Sequence, residues 1–432
     1  MIRILFLLLL TNLILSNCSN KEQIKVSESG FSILEYDSSI TETLTLDHSS
    51  IFIDVPREVN YWSQFLQNPK NHLNNIYSDS KFLDKEKILN GKNGPLNIIQ
   101  PIYFDRKICH VTNDGFILCI DVISGKTIFK TDIKPQGKKK YEIIRGGLAY
   151  FDNKVIYVDA YGQVKLINVL DGSIIWEKNI ELPILSPPLI YRDYIYFISS
   201  DNRIFAISLN NGDVEWSFQT IAENKKSLMT ASLSTFENIV IAPFSNGEIV
   251  AFSYDEGRPL WSENISRVSL LTNFDIRDIA ASPVVVSNEV FTISTKGKLV
   301  SSNAINGKRN WSIDISGYRT PTISGGQIYL INDEGKLICV DKSTGEIFWI
   351  TDLEKYRSGK NIENLNLWLG PYLINNVLYN LSYFGELKMV SPINGEILSS
   401  KKLSISEVTV PPIILKDAIY VVDGNANVFE FK

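Results

Sequence analysis

The sequence predicts an all-β fold, an eight-bladed β-propeller of four-stranded antiparallel blades. Three observations predict it: a phrase that occurs seven times, a tight hairpin in each unit, and a final set of three strands that lacks its fourth. Successive copies of the phrase are 38 to 50 residues apart. Self-similarity at such a period is typical of a propeller or a solenoid.

The phrase places one glycine, once an asparagine, ten residues before a second glycine, and an aromatic residue usually follows the second glycine by four. The first place is held by Gly115, Gly162, Asn202, Gly247, Gly297, Gly335 and Gly385. The second place is held by Gly125, Gly172, Gly212, Gly257, Gly307, Gly345 and Gly395. The aromatic place holds Phe129, Trp176, Trp216, Trp261, Trp311 and Trp349, and then Ser399.

Each unit is predicted to contain four strands. The strand between the two glycines, such as Ile204 to Ile207, is apolar or small at successive positions and is therefore buried on both faces. An upstream β-rich run, such as Tyr194 to Ser199, is joined to it through Asp201-Asn202, a turn that requires positive φ. A further short strand starts near proline, and the last strand carries the tryptophan. Four antiparallel strands without helical periodicity make a propeller blade.

The ring is predicted to close with a strand from the N-terminal side. After the seventh phrase, Pro411 to Leu415, Ala418 to Asp423 and Asn427 to Phe431 supply only three strands. Lys81 to Leu89, with Phe82 in the aromatic place, is the predicted fourth strand. The prediction is therefore eight blades, the last of them completed by an N-terminal strand.

The N-terminus predicts an export signal. One arginine leads a mostly apolar run of about a dozen residues, too short to span a ~30 Å hydrocarbon core. The run ends in Leu15-Ser16-Asn17-Cys18, which resembles the lipobox of bacterial lipoproteins and implies lipidation of Cys18. In such lipoproteins Ser19 implies sorting to the outer membrane, and multiple acyl chains hold a protein stably on a membrane.

Three regions follow from these patterns: a lipoprotein signal peptide at 1–17, a lipidated flexible tether at 18–45, and the propeller at 46–432. The stretch from Asn71 to Ser80 supports no structural prediction. Past Cys18 no apolar stretch approaches transmembrane length. The net charge of −5 and the pI near 5.5 argue against a nucleic-acid partner.

Three cysteines remain besides Cys18. Cys119 and Cys339 share a repeat position that other blades fill with alanine or serine, which favours small core residues. Cys109 and Cys119 flank one hairpin. They face each other and can form a disulfide if the hairpin loop has three residues, whereas a two-residue loop places them on opposite faces.

The blade phrase resembles that of PQQ-type propellers, whose enzymatic members are quinoprotein dehydrogenases. The resemblance implies an adjacent cysteine pair, a Ca²⁺ site and an Asp base in those enzymes, but no adjacent cysteine pair exists here. The three histidines, His48, His72 and His110, lack metal-ligand spacing, and no serine sits in Gly-x-Ser-x-Gly. The sequence therefore predicts no catalytic, cofactor-binding or metal-binding residue.

A lipid-anchored, non-catalytic, eight-bladed propeller of this type resembles the BamB family, the lipoprotein component of the outer-membrane β-barrel assembly (BAM) machinery. The resemblance covers roughly Tyr61 to Lys432 plus the lipobox. It implies a scaffold that faces the periplasm, binds the periplasmic POTRA domains of the central subunit BamA, and helps to assemble outer-membrane β-barrel proteins. It also implies binding through inter-blade loops and exposed strand edges that pair with nascent outer-membrane chains.

Two residues are the partner-binding candidates that this resemblance implies. Asp278 matches an acidic position in the family's inter-blade loop, although a second family acid falls on Ala280. Leu228 matches a Leu-rich loop one blade earlier, where the family's arginine is absent and Lys225 or Lys226 supplies the nearby charge. Two alternatives remain: a periplasmic or surface propeller that binds carbohydrate or another protein, and a PQQ-dependent dehydrogenase with a degenerate site.

Overall fold

The computed structural model describes residues 40–43, 46–82, 85–91, 98–135, 137, 145–221, 231–266, 278–295, 297–358, 364–405 and 407–432. Three short strands precede the first blade: β1 (Arg57–Glu58), β2 (Ile76–Tyr77) and β3 (Lys85–Leu89). A 3-10 turn, His48–Ser50, is capped by the side chain of Asp47. None of the described segments forms a helix of the length and hydropathy that crossing a membrane requires.

The strands assemble into eight blades, each numbered from its innermost strand outwards. Blade 1 is β4 (Ile102–Phe104), β5 (Lys107–Thr112), β6 (Phe116–Asp121) and β7 (Thr127–Asp132). Blade 2 is β8 (Gly146–Phe151), β9 (Lys154–Asp159), β10 (Gln163–Asn168) and β11 (Ile174–Asn179). Blade 3 is β12 (Leu189–Tyr191), β13 (Tyr194–Ile198), β14 (Arg203–Ser208) and β15 (Val214–Gln219). Blade 4 is β16 (Ser234–Phe236), β17 (Ile239–Pro243), β18 (Glu248–Ser253) and β19 (Pro259–Asn264).

The second half of the ring repeats this order. Blade 5 is β20 (Val284–Val286), β21 (Glu289–Ile293), β22 (Leu299–Asn303) and β23 (Arg309–Ile313). Blade 6 is β24 (Thr322–Ser324), β25 (Gln327–Ile331), β26 (Lys336–Asp341) and β27 (Ile347–Asp352). Blade 7 is β28 (Trp368–Ile374), β29 (Val377–Ser382), β30 (Glu386–Val390) and β31 (Ile397–Lys402), extended at its inner edge by β2 and β1. Blade 8 is β32 (Ile413–Ile414), β33 (Ile419–Val422), β34 (Val428–Phe431) and then β3.

The aromatic residue of the phrase joins neighbouring blades. The Trp176 ring of blade 2 lies over Gly212 of blade 3, so closely that a Cβ at Gly212 would be 2.8 Å from ring carbons. Its indole Nε1–H donates to the Leu209 carbonyl of blade 3 at 3.2 Å. Only a glycine at this turn, with φ of 74°, admits both the ring and the backbone conformation. The same indole-to-carbonyl bond recurs in the next four tryptophans, as Trp216 to Tyr254, Trp261 to Ala304, Trp311 to Lys342 and Trp349 to Pro392.

The N-terminal strand closes the ring, as the sequence predicts, because β3 pairs antiparallel with β34. The prediction that Phe82 fills its aromatic place is wrong. Phe82 lies before the strand, with φ of 55°, and its buried ring stacks on Tyr379 and packs on Phe431 between blades 7 and 8. In blade 3 the aromatic residue Trp216 pairs with Ala206 of the third strand. The residue of blade 8 equivalent to Ala206 is Glu430, and it pairs with the exposed Glu86, so Glu86 holds the aromatic place. Phe82 misses the aromatic place because β3 reaches blade 8 from the N-terminal side of the chain. In the other blades a hairpin joins the fourth strand to the third and fixes the spacing between them.

Ser399 breaks the aromatic pattern for the same reason. Blade 8 takes its outer strand from the N-terminal side, so no hairpin joins β34 to β3 and no second glycine faces Ser399. The space beside blade 7 is occupied by the N-terminal segment instead, since Lys401 Nζ donates to the carbonyls of Lys81 and Phe82 at 3.1 and 2.9 Å.

Cys109 and Cys119 form a disulfide, which was one of the two alternatives that the sequence left open. Thr112 pairs with Phe116, so the hairpin loop has three residues, and Cys109 lies directly opposite Cys119. Both sulfurs are fully buried in the core of blade 1. Cys339, at the equivalent position of blade 6, is a buried free thiol, as a small core residue would be. Burial raises its pKa.

Residues 61–80, which we call the strap, cross one end of the ring. Trp62 exchanges two backbone hydrogen bonds with Tyr103 of blade 1, at 2.8 and 2.9 Å. The Ser63 carbonyl then accepts from the Tyr150 N–H of blade 2. Further along, the carbonyls of Pro69, Lys70 and Ile76 accept from Thr235 of blade 4, Val285 of blade 5 and Asn375 of blade 7, and the N–H of Asp79 donates to Lys416 of blade 8.

The strap is anchored by buried side chains as well as by its backbone. Asn71 Nδ2 donates to the Leu233 carbonyl of blade 4 at 2.9 Å and to the Pro283 carbonyl at the start of blade 5 at 3.0 Å. His72 Nε2 donates to the Ile323 carbonyl of blade 6 at 2.9 Å, and burial lowers the pKa of His72. Residues Asn71 to Ser80, for which the sequence supports no structural prediction, therefore link blades that lie on different sides of the channel.

Candidate functional site

The two ends of the ring differ. Strands within a blade alternate in direction, so first-to-second and third-to-fourth strand hairpins lie at one end, while second-to-third hairpins and blade-to-blade connections lie at the other. The strap bonds to residues within the innermost strands and, at Asn375 and Lys416, to first-to-second strand hairpins. It therefore covers the first of these ends, the strap face. The opposite end, the loop face, carries the first-place glycines and the connections between blades.

The one asparagine in the first glycine place organises the loop face. Asn202 adopts φ of 59° and is 2% exposed. Its Nδ2 donates to the Ile221 carbonyl at 2.8 Å, and its Oδ1 accepts from the Ser245 Oγ of blade 4 at 2.8 Å. Asparagine tolerates the left-handed conformation and adds hydrogen bonds that glycine cannot make. It thereby fixes the described start of the connection from blade 3 to blade 4.

Leu228 lies outside the described residues, as does Cys18. The described residues on either side of Leu228 are Ile221, which is 78% exposed, and Ala231, which is buried. The described ends of the connection that contains Leu228, Ile221 and Ala231, therefore lie at the loop face.

Asp278 is described and is 7% exposed. Its carbonyl accepts from the Thr295 N–H at 3.1 Å, which holds it against the second-to-third hairpin of blade 5. Burial lowers the pKa of Arg145, which precedes blade 2, and the negative charge of Asp278 acts in the opposite direction. Asp278 and Arg145 thus form an electrostatic pair between the starts of two innermost strands. The Asp278 side chain is therefore buried beside a guanidinium and presents little charge to solvent.

The central channel opens beside this pair. Arg319, before the innermost strand of blade 6, donates through Nε to the Trp368 carbonyl at 3.0 Å, and its guanidinium lies 5.1 Å from the Tyr318 ring centroid. Burial lowers the pKa of Arg319 and raises that of Tyr318. The channel is therefore lined by the guanidinium of Arg319, which the Trp368 carbonyl and the Tyr318 ring hold in place.

The described part of the central channel leaves little room for the quinone cofactor that the PQQ-type fold implies. Its described cavity is about 70 Å³, closed below by strap side chains that include Phe65, Leu66 and Leu73. That volume suits about five water molecules, whereas drug-sized ligands occupy pockets of roughly 300–1,000 Å³. Within the described segments, no group of three or more His, Cys, Asp or Glu side chains is arranged to hold a metal ion. The residues present do not fit that cofactor.

Two features of this face escaped the sequence reasoning. Arg145 carried no pattern, because it lies in a connection and not in the blade phrase. Asn202 did carry a signal, since it is the single departure from glycine among the seven first places. A polar residue that replaces glycine at a positive-φ turn indicates a side-chain hydrogen-bonding role.

Comparison with known proteins supports a specific assignment of this fold. The family model described as "Outer membrane protein assembly factor BamB" matches residues 113–351, more than half of the chain. The outer membrane protein assembly factor BamB of Vibrio cholerae is 30% identical over 219 residues, which are 50% of this chain and 56% of that protein. The chain spans about half the length of the curated relatives it matches.

Solved structures share the fold. The crystal structure of BamB from Moraxella catarrhalis superposes with a TM-score of 0.68 at 16% identity, over 81% of this chain and all of that one. The quinohemoprotein alcohol dehydrogenase from Comamonas testosteroni superposes with a TM-score of 0.66 at 11% identity, over 87% of this chain and 81% of that one. At these identities both likenesses concern architecture alone.

Proposed function

The chain belongs to the family of the outer membrane protein assembly factor BamB, and on that premise we propose that it is a non-catalytic scaffold lipoprotein of the BAM complex. It binds the periplasmic POTRA domains of BamA and aids the assembly and insertion of outer-membrane β-barrel proteins. The observation that carries the proposal is the family match across the blades. The channel supports the non-catalytic part, because its described cavity is too small for the cofactor of the enzymatic propellers.

We assign the interface to the loop face. The strap covers the other end of the channel, where it bonds to innermost strands or first hairpins of seven blades, and this leaves less of that end for a partner. The described ends of the connections that contain Leu228 and Asp278 lie at the loop face. Ile221, 78% exposed beside the first connection, adds apolar surface of the kind that anchors protein interfaces.

The interface is tested by co-purification with BamA. We expect Leu228→Glu combined with Asp278→Asn to lower recovery of BamA at least ten-fold, because truncation of a central anchor costs ~2 kcal/mol or more. Asp278→Asn is preferred to Asp278→Arg, since an arginine there would bury a second guanidinium beside Arg145.

Leu170→Glu is the matched control. Leu170 is 75% exposed in the turn between β10 and β11, at the strap face. The control should retain BamA. Circular dichroism should show the native fold for both variants, and melting curves should show that the double variant is fully folded at the temperature of the binding experiment, because Asp278→Asn removes the charge beside Arg145. Undiminished recovery by the double variant would reject the loop-face assignment.

Membrane attachment is proposed to occur through acyl chains on Cys18, with the propeller in the periplasm. Cys18→Ser is expected to remove the protein from the outer-membrane fraction, because serine cannot form the thioether to the diacylglyceride. The measurement is fractionation followed by mass spectrometry of the N-terminal peptide. A variant that stays in the outer membrane without lipid would contradict the proposal.

A further inference from the structure

The seam from blade 8 to blade 1 has a second-place glycine, Gly125, but no aromatic ring that covers it. At the seams from blade 1 to blade 7, an aromatic side chain of one blade covers the second-place glycine of the next, from Phe129 on Gly172 to Trp349 on Gly395. Gly125 of blade 1 should receive a ring from blade 8. Among the described residues, nothing lies within 4 Å of the position that a Cβ on Gly125 would take.

The cause of this vacancy is the origin of the outer strand of blade 8. Glu86 of β3 pairs with Glu430 of β34, in the register where Trp216 pairs with Ala206 in blade 3. A carboxylate therefore stands where blades 1 to 6 place an aromatic ring. Glu86 is exposed, and Glu430 is bound by the Tyr420 hydroxyl at 2.9 Å and by Lys432 Nζ at 2.9 Å.

The vacancy is part of a groove of about 540 Å³ between blades 8 and 1, which we call the seam groove. Its floor includes Tyr103 and Tyr420, whose rings stack at 5.6 Å, and its walls include Ile88 and Ile123. Ile123 is 71% exposed. This volume lies in the range of pockets that bind a compact ligand, and exposed apolar walls mark interaction sites.

The fold itself indicates which chemical group fits. In five seams the ring is an indole whose Nε1–H donates to the carbonyl three residues before the second-place glycine. At Gly125 the equivalent carbonyl belongs to Val122, which lines the seam groove. The position thus combines the uncovered surface of Gly125, apolar residues among the charged ones of the walls, and a carbonyl acceptor at the spacing that an indole requires.

We propose that the seam groove binds a tryptophan side chain presented by an extended segment of a partner protein. The indole covers Gly125 and donates to the Val122 carbonyl, which completes the interaction that the neighbouring seams make internally. The site lies at the outer edge of the strap face, so its occupation is compatible with a second partner on the loop face.

The test uses the full mature chain and a short probe, acetyl-Gly-Ser-Trp-Ser-Gly-amide with 5-fluorotryptophan, followed by ¹⁹F NMR. We expect a saturable shift with the wild type and with Glu86→Ala. Glu86→Trp supplies the missing indole from within the chain, so it should abolish the shift and raise the melting temperature above that of Glu86→Ala. The same peptide with alanine in place of tryptophan should bind at least ten-fold more weakly in competition.

Ile123→Asp keeps the proposal falsifiable if Glu86→Trp does not fold, because Ile123 is exposed and its replacement leaves the core intact. It should weaken probe binding at least ten-fold. No saturable shift in the wild type, or an unchanged shift in both Glu86→Trp and Ile123→Asp, would overturn the proposal. Concentration-dependent dimerisation that Glu86→Trp abolishes would identify a second copy as the occupant and overturn the assignment to a partner protein.

Discussion

Deletion of residues 85–89 is expected to abolish the cooperative thermal transition of the propeller or to lower its melting temperature by more than about 10 °C. The deletion exposes the hydrogen-bonding edge of Val428–Phe431 and removes Leu89, which is 3% exposed. A loss of 1 kcal/mol in the free energy of unfolding lowers the melting temperature of a large domain by about 2–4 °C. The loss of several contacts therefore lowers the melting temperature by more than about 10 °C. Differential scanning calorimetry provides the measurement.

Two controls separate ring closure from mere shortening of the chain. Deletion of residues 19–39, in the predicted tether, should leave the melting temperature within about 2 °C of the wild type. Within β3, Leu89→Ala should cost about 2–5 kcal/mol and Glu86→Ala about 0.5 kcal/mol or less, because only Leu89 is buried. Equal melting temperatures for the two deletions would show that β3 does not hold the ring closed.

Trp62→Ala is expected to destabilise the protein by about 3–5 kcal/mol, which is the usual cost of removing a fully buried aromatic ring. Trp62 is 0% exposed and lies in the core cluster shared by the strap and blade 8. Within the described structure, its indole N–H has no hydrogen-bond partner, so the ring acts by packing. Urea unfolding monitored by circular dichroism measures the loss.

The neighbouring position provides the matched control. Tyr61 is 50% exposed, and its hydroxyl donates to Asp105 at 2.8 Å. Tyr61→Ala should therefore cost about 1 kcal/mol or less. Trp62→Phe should recover most of the loss of Trp62→Ala, since it keeps an apolar ring and removes the unbonded N–H. A Trp62→Ala variant no less stable than Tyr61→Ala would show that the strap contributes little to stability.

The repeated phrase was enough to predict the blades, because every element in it acts locally. Each part of the phrase contacts residues that are a few positions or one blade away. These parts are the turn glycine, the buried strand between the two glycines, and the tryptophan. The hairpins therefore recur with the period of the sequence. The three C-terminal strands of the last blade were found within about two residues at each end, whereas β3 begins at Lys85, four residues after its predicted start at Lys81. The need for a fourth strand followed from counting, so β3 could be placed even though it lies far from β34 in the chain.

Non-periodic contacts were decided by the tertiary structure. The strap reaches its partners across long separations, such as the 212 residues between Asn71 and Pro283, and no local pattern encodes such a pairing. Phe82 was misplaced because aromatic spacing cannot reveal that β3 joins blade 8 without a hairpin. The disulfide depended on one residue of loop length between Cys109 and Cys119, which only the observed register decides.

The candidate site divides in the same way. Sequence reasoning identified the connections between blades and the acidic residue Asp278 as candidates. The burial of Asp278 and its electrostatic partner Arg145 follow only from the packing of blades 2 and 5 around one channel. The vacancy at Gly125 was equally hidden, since its phrase is intact and the missing ring belongs to the other side of the seam. Local hydrogen bonding and strand period determine the blades from sequence, whereas the fit between distant surfaces exists only once the ring has closed.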